Sequence, residues 1–327
     1  MKVLVTGGTG FTGTALSRRL ALEGHQVVAL DIKPGIADDE LRRLGVRIVM
    51  GSVTDRSLVQ KVTEGCERVF HLASAWRIVN LSDREYYETN VSGTRWVMEA
   101  ALQHQVPRVV HCSTCGVHGN PRQFPADETA PIAPEDIYQE TKWEGEKVVR
   151  EFLERGLWVS VIRSTSHYGP GDPERLLHVY RRVARGRFVF LGPGTAHFHL
   201  LYIDNLCDAF QLAAETEAAS GQTYLIADER SLSLQELVLA IANALGVEVK
   251  ITHLPFWPAY VLGTAVEFLY KPLPWDPPIF RRRLNWFRFS RSFDIGKATR
   301  ELGYRPRVDI PTGLRITGEW YRARGML

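Results

Sequence analysis

The 327-residue chain is short of net charge, of cysteine and of long apolar runs, and each shortage excludes something. With 40 Lys and Arg against 37 Asp and Glu, the formal net charge is +3, which gives no electrostatic reason for a nucleic-acid partner. The four cysteines, Cys66, Cys112, Cys115 and Cys207, are scattered apart from one close pair. No stretch reaches the roughly 18 uninterrupted apolar residues of a membrane-spanning helix. Internal repeats and low-complexity tracts are also missing. No secretory leader is visible before Val3-Leu4-Val5, so a cytoplasmic protein with reduced thiols is expected.

What is present is alternation. The β-rich runs Lys2–Thr6, Gln26–Asp31, Arg47–Met50, Arg68–Leu72, Arg108–Cys112 and Trp158–Arg163 are separated by helical patterns at Thr12–Glu23, Asp38–Leu44, Ser57–Thr63, Asp83–Gln103 and Ile137–Arg155. The runs are nearly continuously apolar, as strands covered on both faces are. The expected fold is α/β, a doubly wound parallel sheet with a smaller, discontinuous C-terminal lobe. The pattern predicts residues 1–165 plus 200–228 as the sheet domain and 166–199 plus 229–327 as the smaller lobe. In the lobe, helices are expected at Glu174–Arg185, Ser233–Leu245 and Pro258–Tyr270, with a strand at Phe188–Leu191; Tyr202–Glu215, with a helix starting near Asp204 or Asn205, and a last strand at Tyr224–Ala227 return to the sheet.

Thr6-Gly7-Gly8-Thr9-Gly10-Phe11-Thr12-Gly13 joins the first strand to the first helix. A phosphate there needs close backbone N–H groups and a helix N-terminus aimed at it. Gly7 permits the tight turn, Gly10 removes an obstructing side chain and Gly13 allows close helix–strand packing. Asp31 ends the second strand, where a carboxylate can bind the adenosine ribose hydroxyls and repel the extra phosphate of NADP. NAD is therefore the expected cofactor, although Lys33 nearby softens the repulsion.

Tyr138 and Lys142 stand at i and i+4, on one helix face. A cation beside a phenol favours the phenolate and suits it to proton transfer. Taken alone, the spacing fits a surface pair equally well. Upstream, the strand Val109–Cys112 runs into Ser113 and Thr114. The Thr114 hydroxyl can hold a substrate oxygen near Tyr138, or merely turn the strand end. Asn90 lies inside a helical run, which suggests a buried hydrogen-bonding role.

These motifs resemble the extended short-chain dehydrogenases/reductases over essentially the whole chain. The resemblance rests on the Thr6–Gly13 loop, Asp31, His71-Leu72-Ala73-Ser74-Ala75, Asn90, Ser113-Thr114, Tyr138 with Lys142, Arg163, Tyr168-Gly169-Pro170-Gly171-Asp172 and Tyr202-Ile203-Asp204-Asn205. It implies Tyr138 as acid/base, Lys142 on the nicotinamide ribose, Thr114 on the substrate oxygen and Asn90 supporting the active-site helix. Phe11, Thr12, Ser52, Val53, Leu72, Ala73, Ser74, Cys112 and Thr165 join the glycines and Asp31 as cofactor contacts. The chain departs from the pattern at Ser52, where Asp is common, and at Ser164, where Pro is common. The family also implies a homodimer through Asp83–Gln103 and Ile137–Arg155.

Three departures select a branch. Cys115 and Gly116 stand where sugar-nucleotide dehydratases carry an acid pair. Ser166 replaces the Asn, and Phe198 the Arg, with which sugar-nucleotide epimerases hold a diphosphate. The aromatic segment around Trp257, Tyr260, Phe268 and Trp275, followed by Arg281-Arg282-Arg283, is similar to the 3β-hydroxysteroid dehydrogenase-like branch. That branch implies an apolar small-molecule substrate, with Ala75, Ser166, Phe198 and Trp257 as candidate contacts. The aromatics fit a lobe core as well, and the basic run fits a solvated face or a peripheral membrane contact. A sugar-nucleotide epimerase and a non-catalytic dinucleotide scaffold are the rival readings. Cys112 and Cys115 read as ordinary cysteines. His197 and His199, on one side of a short strand, lack a clear third ligand, so no metal is expected.

Overall fold

In the computed structural model, which describes residues 1–76, 81–172, 176–270 and 284–327, the apolar runs build one parallel sheet. Its strands are β1 (Lys2–Thr6), β2 (Gln26–Asp31), β3 (Arg47–Met50), β4 (Arg68–His71), β5 (Arg108–Thr114), β6 (Val159–Ser164) and β11 (Thr223–Ile226). Their order is β11-β6-β5-β4-β1-β2-β3. Side chains alternate across the sheet, so Val3 and Val5 join one apolar core and Leu4 the other. The first core receives α1 (Phe11–Leu22) and α8 (Ile203–Glu215); the second receives α3 (Arg56–Thr63), α5 (Gly93–Gln103) and α6 (Ile137–Glu154). Strand order reverses between β1 and β4, and a crevice opens there at the C-terminal ends of the strands.

Three small sheets extend the molecule. β7 (Ser166–Tyr168) pairs with β10 (Leu200–Tyr202), β8 (Arg187–Leu191) with β13 (Lys250–Leu254), and β9 (His197–Phe198) with β12 (Leu232–Ser233). Around them lie α7 (Leu177–Ala184), α9 (Leu234–Leu245) and α10 (Phe256–Tyr270), then the helices Gly296–Leu302 and Ile310–Ala323. Tyr180, Leu237, Leu314 and Tyr321 share the apolar core of Val3 and Leu16, so these elements are fused to one face of the large sheet. Asn205 fastens the chain end: its carbonyl accepts from Arg307 N and Val308 N, and its amide donates to Asp228 and to the Val308 carbonyl.

Several bounds differ from the sequence pattern. β5 runs on through Ser113 and Thr114, which pair with Arg163 and Ser164 of β6. The expected single helix Asp83–Gln103 is α4 (Asp83–Tyr87), a π-helical segment Glu88–Ser92 and then α5. The aromatic helix α10 faces outward: Trp257 is 60% exposed and Phe268 76%. Trp275 and Arg281-Arg282-Arg283 lie outside the described residues. Among the described residues, no helix is long and apolar enough to cross a membrane.

Candidate active site

The glycine loop closes tightly. Gly7 adopts φ +69° and approaches the next crossover so closely that a Cβ on it would meet Ala73 N at 2.9 Å. A Cβ on Gly13 would fall 1.9 Å from the Gly7 carbonyl oxygen. Helix α1 begins at Gly10 with no side-chain cap, leaving its first-turn N–H groups without an intrahelical partner. An uncapped helix start, a bare glycine and two close backbone approaches fit the pyrophosphate of a dinucleotide. Asp31, at the end of β2, turns toward this loop: its Oδ2 accepts from Thr9 N at 3.1 Å and Gly10 N at 3.2 Å, and its Oδ1 from Ile32 N. Phe11 is half-buried beside the loop. Val53 is buried against Gly93, whereas the Ser52 hydroxyl bonds locally to Thr54.

A chain of hydrogen bonds crosses beneath the crevice. Ala73 N donates to Thr6 Oγ1, whose hydrogen goes to His71 Nδ1 at 2.7 Å. Thr94 Oγ1 donates to the Asn90 carbonyl and so accepts from His71 Nε2 at 3.0 Å. His71 is thus neutral with its proton on Nε2. Burial, with Lys142 nearby, pushes its pKa down to about 3. His111 lies beside it, ring centroids 5.2 Å apart and the planes tilted by 38°, and burial holds it neutral too. Neither His111 nitrogen has a hydrogen-bond partner among the described residues.

Asn90 occupies the π-helical turn. Its Oδ1 accepts from Ala75 N at 2.8 Å and from Ser74 Oγ at 3.1 Å. Its Nδ2 donates to the Ala75 carbonyl and, at 2.9 Å, to Thr141 Oγ1 of α6. One amide therefore ties the segment after β4 to the helix carrying Tyr138 and Lys142. π-helical turns of this kind are frequent at functional sites. Lys142 is only 2% exposed, and burial pushes its ammonium below the usual lysine range, opposed by Cys112 and Glu146. Tyr138 is half-buried one turn before it. Thr114 caps the short 3₁₀ turn Cys115–His118 by accepting from Gly116 N at 3.1 Å. A Cβ on Gly116 would meet both Thr114 Oγ1 and Gln139, so the strand end meets α6 beside Tyr138.

Sequence reasoning missed the polar cluster under this helix. Glu146 follows Lys142 at i+4 on the same face. It pairs with Arg163 of β6 through Nε at 3.0 Å and Nη2 at 2.7 Å, and accepts from Ser113 Oγ. Arg163 Nη1 donates to His118 Nε2, while His118 Nδ1 donates to the Ala130 carbonyl. Burial and Arg163 lower the His118 pKa. The repeating interval Tyr138, Lys142, Glu146 was the available signal.

The other candidates are dispersed. The backbone of Leu72 and Ala73 lies against Gly7 of the glycine loop. Cys112 leans on the Ser113 carbonyl at 3.7 Å, and all four cysteines are thiols outside any disulfide. The Thr165 hydroxyl is buried and directed at the Leu200 carbonyl. Ser166 begins β7. Phe198 sets its ring against Trp286, centroids 6.0 Å apart. Trp257 packs on Phe256 and Tyr260 on the outward-facing helix. His197 and His199 part company: His197 lies near the Phe124 ring, whereas His199 is buried between the Asp228 carbonyl and Phe293 N.

The model of the NAD-dependent epimerase/dehydratase family matches residues 3–227. The 2-alkyl-3-oxoalkanoate reductase of Stenotrophomonas maltophilia (strain K279a) is 32% identical, over 96% of this chain and 98% of its own length. A 3β-hydroxysteroid-dehydrogenase/decarboxylase isoform 2 of Arabidopsis thaliana is 31% identical over 96% of this chain and 61% of its own. Among solved structures, DesIV, a dTDP-glucose 4,6-dehydratase from Streptomyces venezuelae with NAD and TYD bound, superposes with a TM-score of 0.79 at 28% identity, over 99% of this chain and 98% of that one. Sequence motifs, sheet topology and these likenesses agree that the chain belongs to the NAD-dependent epimerase/dehydratase family, the extended short-chain dehydrogenases/reductases.

Proposed function

We propose that this protein interconverts a secondary alcohol and a ketone on an apolar substrate, 3-oxo-acyl-like or sterol-like, with NAD preferred to NADP. A nicotinamide cofactor held by the glycine loop would supply the hydride chemistry. Tyr138 exchanges the hydroxyl proton, and Thr114 hydrogen-bonds the substrate oxygen. Lys142 supplies a fixed positive charge beside the phenol and the nicotinamide ribose. Asn90 keeps α6 in place through Thr141. Gly7, Gly10, Phe11, Thr12, Gly13, Asp31, Ser52, Val53, Leu72, Ala73, Ser74, Cys112 and Thr165 are proposed to line the cofactor.

The observation that carries the chemistry is the buried Lys142 one turn after Tyr138, on a helix pinned by Asn90. The substrate class is supported by Phe198, which presents a ring against Trp286 at the position proposed to grip a diphosphate in epimerases. A desolvated diphosphate without paired cationic donors is strongly unfavourable. The full-length likeness to a 3-oxoalkanoate reductase supports the same class. Ala75 and Ser166 are proposed as further substrate contacts. Trp257, on the exposed face of α10, is proposed as a contact at the outer rim. A cytoplasmic homodimer, and a division into residues 1–165 plus 200–228 and 166–199 plus 229–327, complete the proposal.

The test is NADH absorbance with a panel of 3-oxo acids, sterols, aromatic ketones and nucleotide sugars, beside calorimetry with UDP. Turnover of apolar ketones without UDP binding is expected. Micromolar UDP binding competitive with the ketone overturns the apolar reading in favour of an epimerase with tightly held NAD. The cofactor choice has its own check: Asp31→Ala is expected to narrow the preference for NAD over NADP in binding titrations. Tighter binding of NADP than NAD by the unaltered protein counts against it.

A further inference from the structure

Three polar side chains from separate elements meet beside the phosphate loop. Thr12 stands in the first turn of α1, His167 lies on β7 and Ser164 ends β6. Thr12 Oγ1 is 3.1 Å from His167 Nδ1, and His167 Nε2 is 2.7 Å from Ser164 Oγ. Ser164 Oγ donates to the Ser113 carbonyl at 3.3 Å.

A hydroxyl has one hydrogen, so the chain has a direction. Ser164 gives its hydrogen to Ser113 and must accept from His167 Nε2. In the neutral ring Nδ1 is then the acceptor, and it takes the hydrogen of Thr12. The imidazole thus bridges the start of the phosphate-binding helix to the strand end beside Ser113 and Thr114. The Gly169-Pro170-Gly171 turn brings this segment over α1, because a Cβ on Gly171 would lie 3.4 Å from the Phe11 ring. Simple packing does not call for a hydroxyl, an imidazole and a second hydroxyl in register. Removing the imidazole breaks both of these links at once.

We propose that His167 is a positioning residue for the pyrophosphate of the dinucleotide, holding Thr12 and the first turn of α1 against the end of β6. The first-turn N–H groups bind an anion well only when their direction is fixed, and Gly10 gives the turn no side-chain cap of its own. The proposal rests on the assignment of the Gly7–Gly13 loop to the cofactor.

The test is calorimetry on the full chain with NAD and ADP, and an NMR titration with adenosine, which has no phosphate. Binding of NAD by the unaltered protein checks the loop assignment itself, and its absence sinks that assignment before the variants are read. His167→Leu is expected to weaken NAD and ADP about tenfold, equivalent to about 1.4 kcal/mol, and to leave adenosine nearly unchanged. His167→Gln, which retains a donor toward Ser164, recovers part of the loss. Thr12→Val, close to Thr in volume, gives a similar loss, and the double variant loses no more than His167→Leu alone. If His167→Leu fails to fold, Thr12→Val carries the same expectation. Unchanged ADP affinity, an equal loss for adenosine, or additive losses in the double variant overturn the proposal.

Discussion

A buried ammonium is unfavourable unless its charge is used, and Lys142 is held almost wholly out of water one turn from Tyr138. Tyr138→Phe would remove the proposed proton path and keep the ring in the helix. It is expected to lower turnover by about 10²–10⁴-fold with NAD affinity nearly preserved; normal turnover would remove Tyr138 from the mechanism. Lys142→Ala is expected to weaken both binding and turnover. A second buried charge has no such use. Burial raises the Asp228 carboxyl to about 6, although its Oδ1 accepts from Tyr202 N at 3.0 Å and from Asn205 Nδ2 at 2.8 Å. The folded pKa lies above the ordinary carboxylate value, so the stability present at low pH is lost as pH rises through about 6. Asp228→Asn keeps an oxygen for both accepted bonds. It is expected to raise the Tm more at about pH 8 than at about pH 4, with a gain of up to about 2–3 kcal/mol. A difference between the two proteins that is flat across that range would show that Asp228 is not the cause.

Elements were legible in the sequence where one local rule decides them. Strands covered on both faces leave continuous apolar runs, and β1, β2 and β3 begin and end where the pattern puts them. Asn90 stood out as a polar residue in a helical run, but its π turn did not, because one wider turn barely disturbs the apolar spacing. The end of β5 was also obscured, since Ser113 and Thr114 carry hydroxyls typical of a turn while their backbone continues the ladder. Partners distant in sequence were beyond local rules: Thr6 with His71, and Glu146 with Arg163 and His118. The aromatic residues of α10 announced an apolar helix and not the direction it faces. The Glu146–Arg163 pair is where α6 and β6 are locked, both side chains being buried. Arg163→Met leaves a carboxylate buried without its counter-charge and is expected to cost about 3–5 kcal/mol in denaturant melts. Adding Glu146→Leu should restore much of that. A loss below about 1 kcal/mol for the single change would mean that water screens the pair.

At the scale of the whole molecule, two apolar cores clasp a single sheet, and the C-terminal elements belong to one of them. The outer surfaces of α4, α5 and α6 carry Tyr87 bonded to Glu140, and Arg95 paired with Glu151. The proposed two-fold dimer would form across these helices. Light scattering is expected to give twice the monomer mass at micromolar concentration, and a monomer there would refute the assembly. The strand order also bears on how the protein is made. In chain order, β2 pairs with β1 and β3 with β2; on the other flank β4 pairs with β1, β5 with β4 and β6 with β5. Finally β11 joins β6. No strand has to be inserted between two already paired, so the sheet can grow outward during synthesis in the order its strands emerge. Closure comes later, because Asn205 waits for the backbone of Arg307 and Val308, and the Ala227 carbonyl waits for the Tyr304 hydroxyl. A chain synthesised as far as Ile226 therefore has every strand of the large sheet before it has the residues that seal it, and its last segment is the clasp.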